Sequence, residues 1–417
     1  MSKARTRSGL IAALDVGTTK VCCFIARVLD DGALKVIGIG HQIARGLRAG
    51  QVVDMDAAEA SIRAAVEAAE EMAGERIQSV VTSLAAGQPQ SCHVEVEVEV
   101  GGREVTDLDI RRMLESARAQ PEGANDRELV HIVPLGYRLD DSDGIRDPSG
   151  MCGERLGVTV HLISAASGAI RNLGNVVARG HLDIEARVVA PYASGLACLV
   201  EDEKNLGVTV VDLGGGTTTI AVFQNGHVVY IDAIPVGGSH VTNDIARGLS
   251  TPLVHAERLK TLYGSCMPSP SDDRELMRFP LVGEEEDSAA AQVPRSMLVQ
   301  IIRPRIEETF ELVRSHLEAS GLDKTAGRRV VLTGGAAQLQ GVRELAAMIL
   351  DKQVRMGRPV GFAGMAEATN GPAFATAAGL LRYGAFYLAE GPGRAGRRRD
   401  DTGGRLGRLG QWLRENF

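Results

Sequence analysis

A two-lobed α/β protein built by internal duplication is what this sequence predicts, and three observations carry that reading. One strand–turn–strand pattern occurs twice, about 200 residues apart, in SGLIAALDVGTTKVCCFIARVLDDGALKVIGIG and in NLGVTVVDLGGGTTTIAVFQNGHVVYIDAIPVGG. Each copy is an apolar strand, an Asp-x-Gly turn with threonines, a second strand, a tight hairpin turn (DDG or QNG) and a third strand. A segment of helical period follows each copy, Asp56–Met72 and Ser239–Leu249. A third junction of strand and helix lies in RRVVLTGGAAQLQGVRELAAMIL, and beyond Pro372 the Ala-rich FATAAGLLRYGAFYLAE reads as a closing helix.

The bulk properties agree. A chain of 417 residues has room for two to four domains, and 44% hydrophobic with 24% charged residues is ordinary for a globular protein. No stretch approaches the ~18 uninterrupted apolar residues of a membrane span. The basic and then apolar start runs straight into Asp15, so it is expected to be the first strand of a mature cytoplasmic protein, not an export signal. Six scattered cysteines without a C-x-x-C pair are neither a disulfide framework nor a zinc site, and most are expected to be buried, reduced thiols. The net charge of −7 is uneven: segment 391–417 holds seven Arg against Asp400, Asp401 and Glu415, a net +4, so the rest carries −11. An acidic body argues against nucleic acid as a partner, and a basic tail suits an anionic surface.

The landmarks divide the chain as follows. The first lobe core takes 1–85 and 164–203, with a small α/β module inserted at 86–163. Within that module HVEVEVEV places Val94, Val96, Val98 and Val100 on one face of a strand, and Glu95, Glu97 and Glu99 on the other, toward solvent or Arg side chains. A helix follows at Thr106–Ala119, then turns around Asp140–Gly153. The second lobe core takes 204–250 and 325–390, with a second insertion at 251–324. This insertion carries the acidic loop Glu284–Asp287 and a long helix, Arg295–Ala319, in which Pro304 predicts a kink or a break. Residues 391–404 have linker composition, and 405–417 form an amphipathic helix.

The turns Asp15–Thr19 and Asp212–Thr218 have the composition of phosphate loops. A polyphosphate packed against a turn needs outward backbone N–H donors, and glycine lets the chain come close without a Cβ in the way. Threonine hydroxyls add donors, and an Asp at each strand end would hold hydrated Mg²⁺. A lone D-x-G-x-T is an ordinary Gly turn; two copies with TGGAA after a strand are more specific. Neither G-x-x-x-x-G-K-[ST] nor G-x-G-x-x-G occurs, which excludes those two nucleotide-binding patterns.

The ordered set resembles the phosphate-1, phosphate-2 and adenosine motifs of the actin, heat-shock-chaperone and sugar-kinase superfamily, which implies an actin-like (ribonuclease-H-like) fold. By that resemblance Asp15, Gly17, Thr18, Thr19 and Lys20 would meet the β- and γ-phosphates of ATP from one lobe. Asp212, Gly214, Gly215, Gly216, Thr217 and Thr218 would do so from the other, with Mg²⁺ held through water by Asp15 and Asp212. Gly334, Gly335 and Ala336 would lie against the adenosine. Glu257 and Lys260, three apart on one helix face, are either ribose or adenine contacts or an exposed ion pair.

The phrases VVDMDAAEASIRAAVEAAEEMAG, VTSLAAG, VDLGGGTTTIAVF, VGGSHVTNDIARGLSTPLVHAERLK and VLTGGAAQLQG are similar to the FtsA family of bacterial cell-division proteins, over Gly9 to Glu390 and again in the last dozen residues. That resemblance implies an adaptor that ties filaments of the tubulin-like GTPase FtsZ to the cytoplasmic face of the cell membrane at the division septum. It also implies docking of the FtsZ C-terminal tail on the second insertion, with Arg295, Arg303 and Arg305 as candidate receivers of acidic groups. Self-association into short filaments and contact with later division proteins would fall to the first insertion. One departure stands out: where brisk hydrolases carry Glu or Gln before the Pro-x-Ala of the interlobe helix, VVAPYASGLA has Ala190. Slow hydrolysis follows, with nucleotide as a conformational or assembly signal.

At the end of the chain Leu406, Leu409, Trp412, Leu413 and Phe417 share one helix face, flanked by Arg405, Arg408 and Arg414. Such a helix lies in an anionic membrane interface or docks on a protein surface. Two other readings remain: a kinase or ATPase of the same fold acting on a small substrate, and a different actin-like scaffold. The basic amphipathic tail argues against the first; the same anchor and the long second insertion argue against the second.

Overall fold

The computed structural model describes residues 9–119, 126–283, 291–323 and 326–387. The first lobe begins with an antiparallel meander of β1 (Gly9–Val16), β2 (Lys20–Val28) and β3 (Leu34–Ile43), followed by a short hairpin of β4 (Leu47–Arg48) and β5 (Gln51–Val52). Helix α1 (Met55–Ala73) starts where the Asp54 carboxylate accepts from the Asp56 and Ala57 N–H groups, and it stops at Gly74 in the left-handed conformation. It lies close on the sheet because β3 carries Gly40: a Cβ there would come within 1.9 Å of the Ala65 carbonyl oxygen. β6 (Ser79–Leu84) then runs parallel to β1.

The first insertion is a four-stranded antiparallel sheet with one helix. It contains β7 (Gln90–Glu99), α2 (Asp107–Ala119), β8 (Arg127–Leu139), β9 (Ser142–Ile145) and β10 (Arg155–Ala166), in the order β7-β10-β8-β9. The alternation in β7 turns out as read: Val96 and Val100 are buried, Val94 and Val98 half-buried. Their charged neighbours Glu95, Glu97 and Glu99 are exposed, and Glu97 meets Arg138 at 2.8 Å and Arg155 at 3.4 Å. Against the second lobe the module is fixed by His161, whose ring nitrogens contact the Val228 carbonyl and the Ser91 hydroxyl, each at 2.8 Å. A cavity of ≈ 1040 Å³ opens between this module and the lobes, lined in part by His131, Tyr192, Phe223 and Tyr383.

The chain returns through α3 (Ser167–Arg179) to β11 (Asp183–Val189), then crosses by α4 (Ala190–Cys198) and α5 (Glu201–Leu206). The second lobe repeats the plan with β12 (Val208–Leu213), β13 (Thr218–Gln224) and β14 (His227–Ile234), then α6 (Gly238–Leu249) and α7 (Leu253–Tyr263). Its insertion holds β15 (Leu276–Phe279), β16 (Ala291–Pro294) and α8 (Arg295–Ala319); the acidic loop Glu284–Asp287 lies outside the described residues. β17 (Arg329–Thr333), α9 (Val342–Leu350) and β18 (Gln353–Met356) complete this lobe. The duplication is exact in strand order: β3-β2-β1-β6-β11 in one sheet corresponds to β14-β13-β12-β17-β18 in the other.

Two expectations are corrected. Of the kink or break expected at Pro304, the break is absent: α8 runs through it as one helix. The carbonyl that proline leaves without its helical donor belongs to Gln300, and Gln300 and Pro304 are both exposed, so that carbonyl is not stranded in the core. The closing segment does not stay with the second lobe. β19 (Phe362–Ala363) pairs with β3, and α10 (Ala375–Arg382) packs into the first lobe's core, because its Ala- and Leu-rich surface covers β1 and α4. Of the cysteines, Cys22, Cys23, Cys198 and Cys266 are buried free thiols, whereas Cys92 and Cys152 are exposed. No described helix is long and apolar enough to cross a membrane. The linker 391–404 and the helix with Leu406, Trp412 and Phe417 lie outside the described residues.

Candidate nucleotide site between the lobes

The two Asp-x-Gly turns are built alike. In each hairpin the glycine N–H closes on the carbonyl three residues on: Gly17 to Lys20 at 3.0 Å, and Gly214 to Thr217 at 2.9 Å. The strand before each turn ends with its Asp facing inward, and Asp15 and Asp212 are 9% and 7% exposed. The turns meet tip to tip across the lobes. A Cβ on Gly215 would come within 2.4 Å of the Thr19 side chain, and one on Gly216 within 2.5 Å of the Thr18 hydroxyl. Only glycine allows this approach, which is what a backbone cradle for phosphate requires. Thr18 is itself held, its hydroxyl oxygen accepting from the Gly50 N–H at 2.8 Å.

The second loop continues into the start of α6, where Gly238 N–H donates to Gly214 O at 2.9 Å and Ser239 N–H to Gly215 O at 2.7 Å. Lys260 on α7 reaches the same place, donating to Gly238 O at 3.1 Å, Thr242 Oγ1 at 2.8 Å and Glu257 Oε2 at 2.7 Å. The ion pair between Glu257 and Lys260 is therefore present, and it sits against the phosphate loop, not on a remote surface. Strand β17 is followed by Gly334, whose φ of +92° and near contact with Asp212 Oδ1 (2.3 Å from an added Cβ) both demand glycine. Gly335 faces open space, and the Ala336 methyl lies 3.0 Å from where a Gly238 Cβ would be. The structure thus brings all sixteen sequence-predicted nucleotide residues, from Asp15 through Ala336, to one interlobe region.

Burial dominates the electrostatics. It raises the Asp15 carboxyl above its ordinary range, against the opposing pull of Lys20 and Ser83. Asp212 is pushed up to about 6 by burial and, further, by the nearby Asp15, while hydrogen bonds from Ser194 and Thr376 oppose the rise. Two inward carboxyls that repel one another fit a cation placed between them. Among the described residues no cluster of three or more His, Cys, Asp or Glu forms a metal cage. A hydrated Mg²⁺ resting on Asp15 and Asp212 through water matches that donor set.

Sequence reasoning missed Ser194 and Thr376, whose hydroxyls lie 2.5 and 3.2 Å from Asp212 Oδ2. It also missed Gly237 and Gly238; the paired glycines opening a helix in PVGGSH are the signal that marks them. Lys20 donates to the Ala373 carbonyl and lies 3.8 Å from the centre of the Phe374 ring. The three arginines proposed for a partner all have intrachain acceptors. Arg295 bonds Asp272 at 3.1 Å and Gln340 at 2.8 Å, Arg303 bonds Glu307 at 2.7 Å, and Arg305 bonds Asp244 at 2.6 Å.

Among solved structures, the chain is similar to the PilM-PilN type IV pilus biogenesis complex (TM-score 0.64, 19% identity, covering 90% of this chain and 98% of that one). It is also similar to MreB5 of Spiroplasma citri bound to ADP (TM-score 0.53, 14% identity, 90% and 95%). Both likenesses show the actin-like fold. Residues 209–379 match the family described as Cell division protein FtsA, and residues 86–164 match the SHS2 domain inserted in FTSA. Cell division protein FtsA of Rhizobium meliloti (strain 1021) is 44% identical over 99% of this chain and 96% of its own length. Those of Pseudomonas aeruginosa and Escherichia coli (strain K12) are 36% and 33% identical, covering 99% and 100% of this chain and the whole of their own. Full-length identity at that level makes this chain a member of the FtsA family, an actin-like protein of bacterial cell division.

Proposed function

We propose that this chain binds ATP with Mg²⁺ between its lobes and serves as the adaptor that anchors FtsZ filaments to the cytoplasmic face of the cell membrane at the septum. The observation that carries the nucleotide part is the meeting of two phosphate hairpins and an adenosine-type loop around two buried aspartates. MreB5, a protein of this fold, is described with ADP and with AMPPNP bound, which supports the same ligand class here. Bound ATP would take phosphate contacts from the backbone N–H groups and threonines of both turns, with Lys20 adding positive charge. Mg²⁺ would supply charge neutralisation there, with Asp15 and Asp212 as the residues that would hold it through water. Ala190, buried at the start of α4, offers no side chain to align an attacking water, so nucleotide acts as a conformational or assembly signal and hydrolysis is slow.

The adaptor part rests on the tail pattern Leu406, Leu409, Trp412, Leu413 and Phe417 with Arg405, Arg408 and Arg414, which suits an anionic membrane interface. The second insertion receives the FtsZ C-terminal tail, with Arg295, Arg303 and Arg305 exchanging internal for incoming carboxylates. The first insertion serves self-association into short filaments and recruitment of later division proteins. Sedimentation with anionic liposomes, ATP and FtsZ tests this, comparing the full chain with one ending at Gly404. The full chain should pellet and carry FtsZ with it, while the shortened chain stays in solution. Equal pelleting of both would remove the tail as anchor, and pelleting without FtsZ would remove the adaptor role.

A further inference from the structure

One short turn collects bonds from all three candidate nucleotide loops. In Pro372–Thr376, the Pro372 carbonyl accepts from Gly334 N–H at 3.2 Å and from the Thr333 hydroxyl at 3.1 Å. The next carbonyl, Ala373 O, accepts from Lys20, whose ammonium rests on the Phe374 ring. Thr376 then meets Asp212 Oδ2 at 3.2 Å and Ser194 Oγ at 2.9 Å, while Ser194 meets the same carboxylate oxygen at 2.5 Å. These three buried oxygens share two hydroxyl protons, so Ser194 donates to Asp212 and Thr376 donates to Asp212 or to Ser194.

The location gives the cluster its significance. Ser194 is on α4, where the chain leaves the first lobe, and Thr376 is on α10, just after the chain returns to it. The helices cross so closely there that a Cβ on Gly379 would come within 1.8 Å of the Ala193 carbonyl oxygen. A change at either helix is therefore felt at the carboxylate, and the reverse.

We propose that Ser194 and Thr376 are positioning residues that hold the Asp212 carboxylate at the crossing of the two helices α4 and α10, and that the Pro372–Thr376 turn relays phosphate occupancy to α10. This rests on the ATP reading above. Tying Oδ2 from behind leaves Oδ1, beside Gly334, to face metal-bound water. Lys20 donates to Ala373 O while its ammonium rests on the Phe374 ring and beside the Cys22 thiol, so a phosphate oxygen that takes another of its three donors shares one cation with the turn.

The test uses the full chain, measuring ATP affinity by calorimetry with and without Mg²⁺ and hydrogen exchange over 370–387 with and without ATP. In the unaltered chain ATP with Mg²⁺ slows exchange over that segment. Ser194→Ala and Thr376→Val should each lower the Mg²⁺-dependent gain in ATP affinity by about tenfold, the loss of a hydrogen bond to a charged group. Both should abolish the protection over 370–387, and Thr376→Ser should restore it. Should Thr376→Val fail to fold, Ser194→Ala carries the test. Unchanged Mg²⁺ dependence with full protection in the variants overturns the proposal while leaving the ATP reading intact. Failure of the unaltered chain to bind ATP sinks both.

Discussion

At the scale of single residues, His161 shows how a buried titratable group ties the insertion to the second lobe. Burial outweighs the opposing Val228 carbonyl, and with a smaller push from the stacked His93 it lowers the ring to about 4. The neutral ring donates from Nδ1 to Val228 O, so Nε2 accepts from Ser91. Because the folded value lies below the ordinary 6.5, the ring's contribution is fully present above pH 6.5 and is lost as pH falls toward 4. His161→Gln should therefore flatten the decline in stability between those pH values by about 3 kcal/mol. Denaturant titrations at pH 4, 5 and 7 check this; an unaltered slope would remove the assignment. His131, pushed down to about 3, accounts for part of the decline that remains. Residues of this kind were not legible in the sequence, since a histidine on an apolar strand carries no mark of its partner. The site glycines and aspartates were legible, because a cradle for phosphate restricts the residue types that can form it. Ser194 and Thr376 were not, being single hydroxyls among alanines and glycines.

At the scale of elements, the crossing of α4 and α10 packs together the two segments by which the chain leaves the first lobe and returns to it. The 1.8 Å approach at Gly379 is to a backbone oxygen, which cannot rotate away as a side chain would. Gly379→Ala should part the helices and destabilise the fold by about 3 kcal/mol, despite the better helix propensity of alanine. Urea unfolding would measure it; a neutral or stabilising result would show that the helices have more room than their spacing indicates. Most elements followed from the sequence because hydrophobic period and turn residues agree in them: α8 starts and stops where read, through its proline. The exception, α10, was legible as a helix but not in its destination. Nothing in FATAAGLLR distinguishes a surface suited to one lobe from a surface suited to the other.

For the molecule as a whole, duplication was readable from the repeated hairpins and the helical segment after each, and the common strand order shows that each repeat forms the same sheet. A ligand held by both repeats should stabilise them together. At 100 times its dissociation constant ATP with Mg²⁺ should add about 2.7 kcal/mol to unfolding, seen in calorimetry as one transition moving upward. Asp212→Ala should cancel the movement. Separate transitions, with one lobe responding, would place the nucleotide on that lobe and not between the two.

The return of β19 and α10 to the first lobe also bears on synthesis. That lobe's sheet is nearly assembled once Cys198 has been made, yet the helix that seals β1 is encoded roughly 180 residues later. At cellular translation rates the gap lasts about 10–35 s. Throughout it a face of apolar strands is open on the nascent chain while a second, similar hairpin emerges behind it. A message truncated before codon 375 yields a lobe whose β1 has no α10 to cover it.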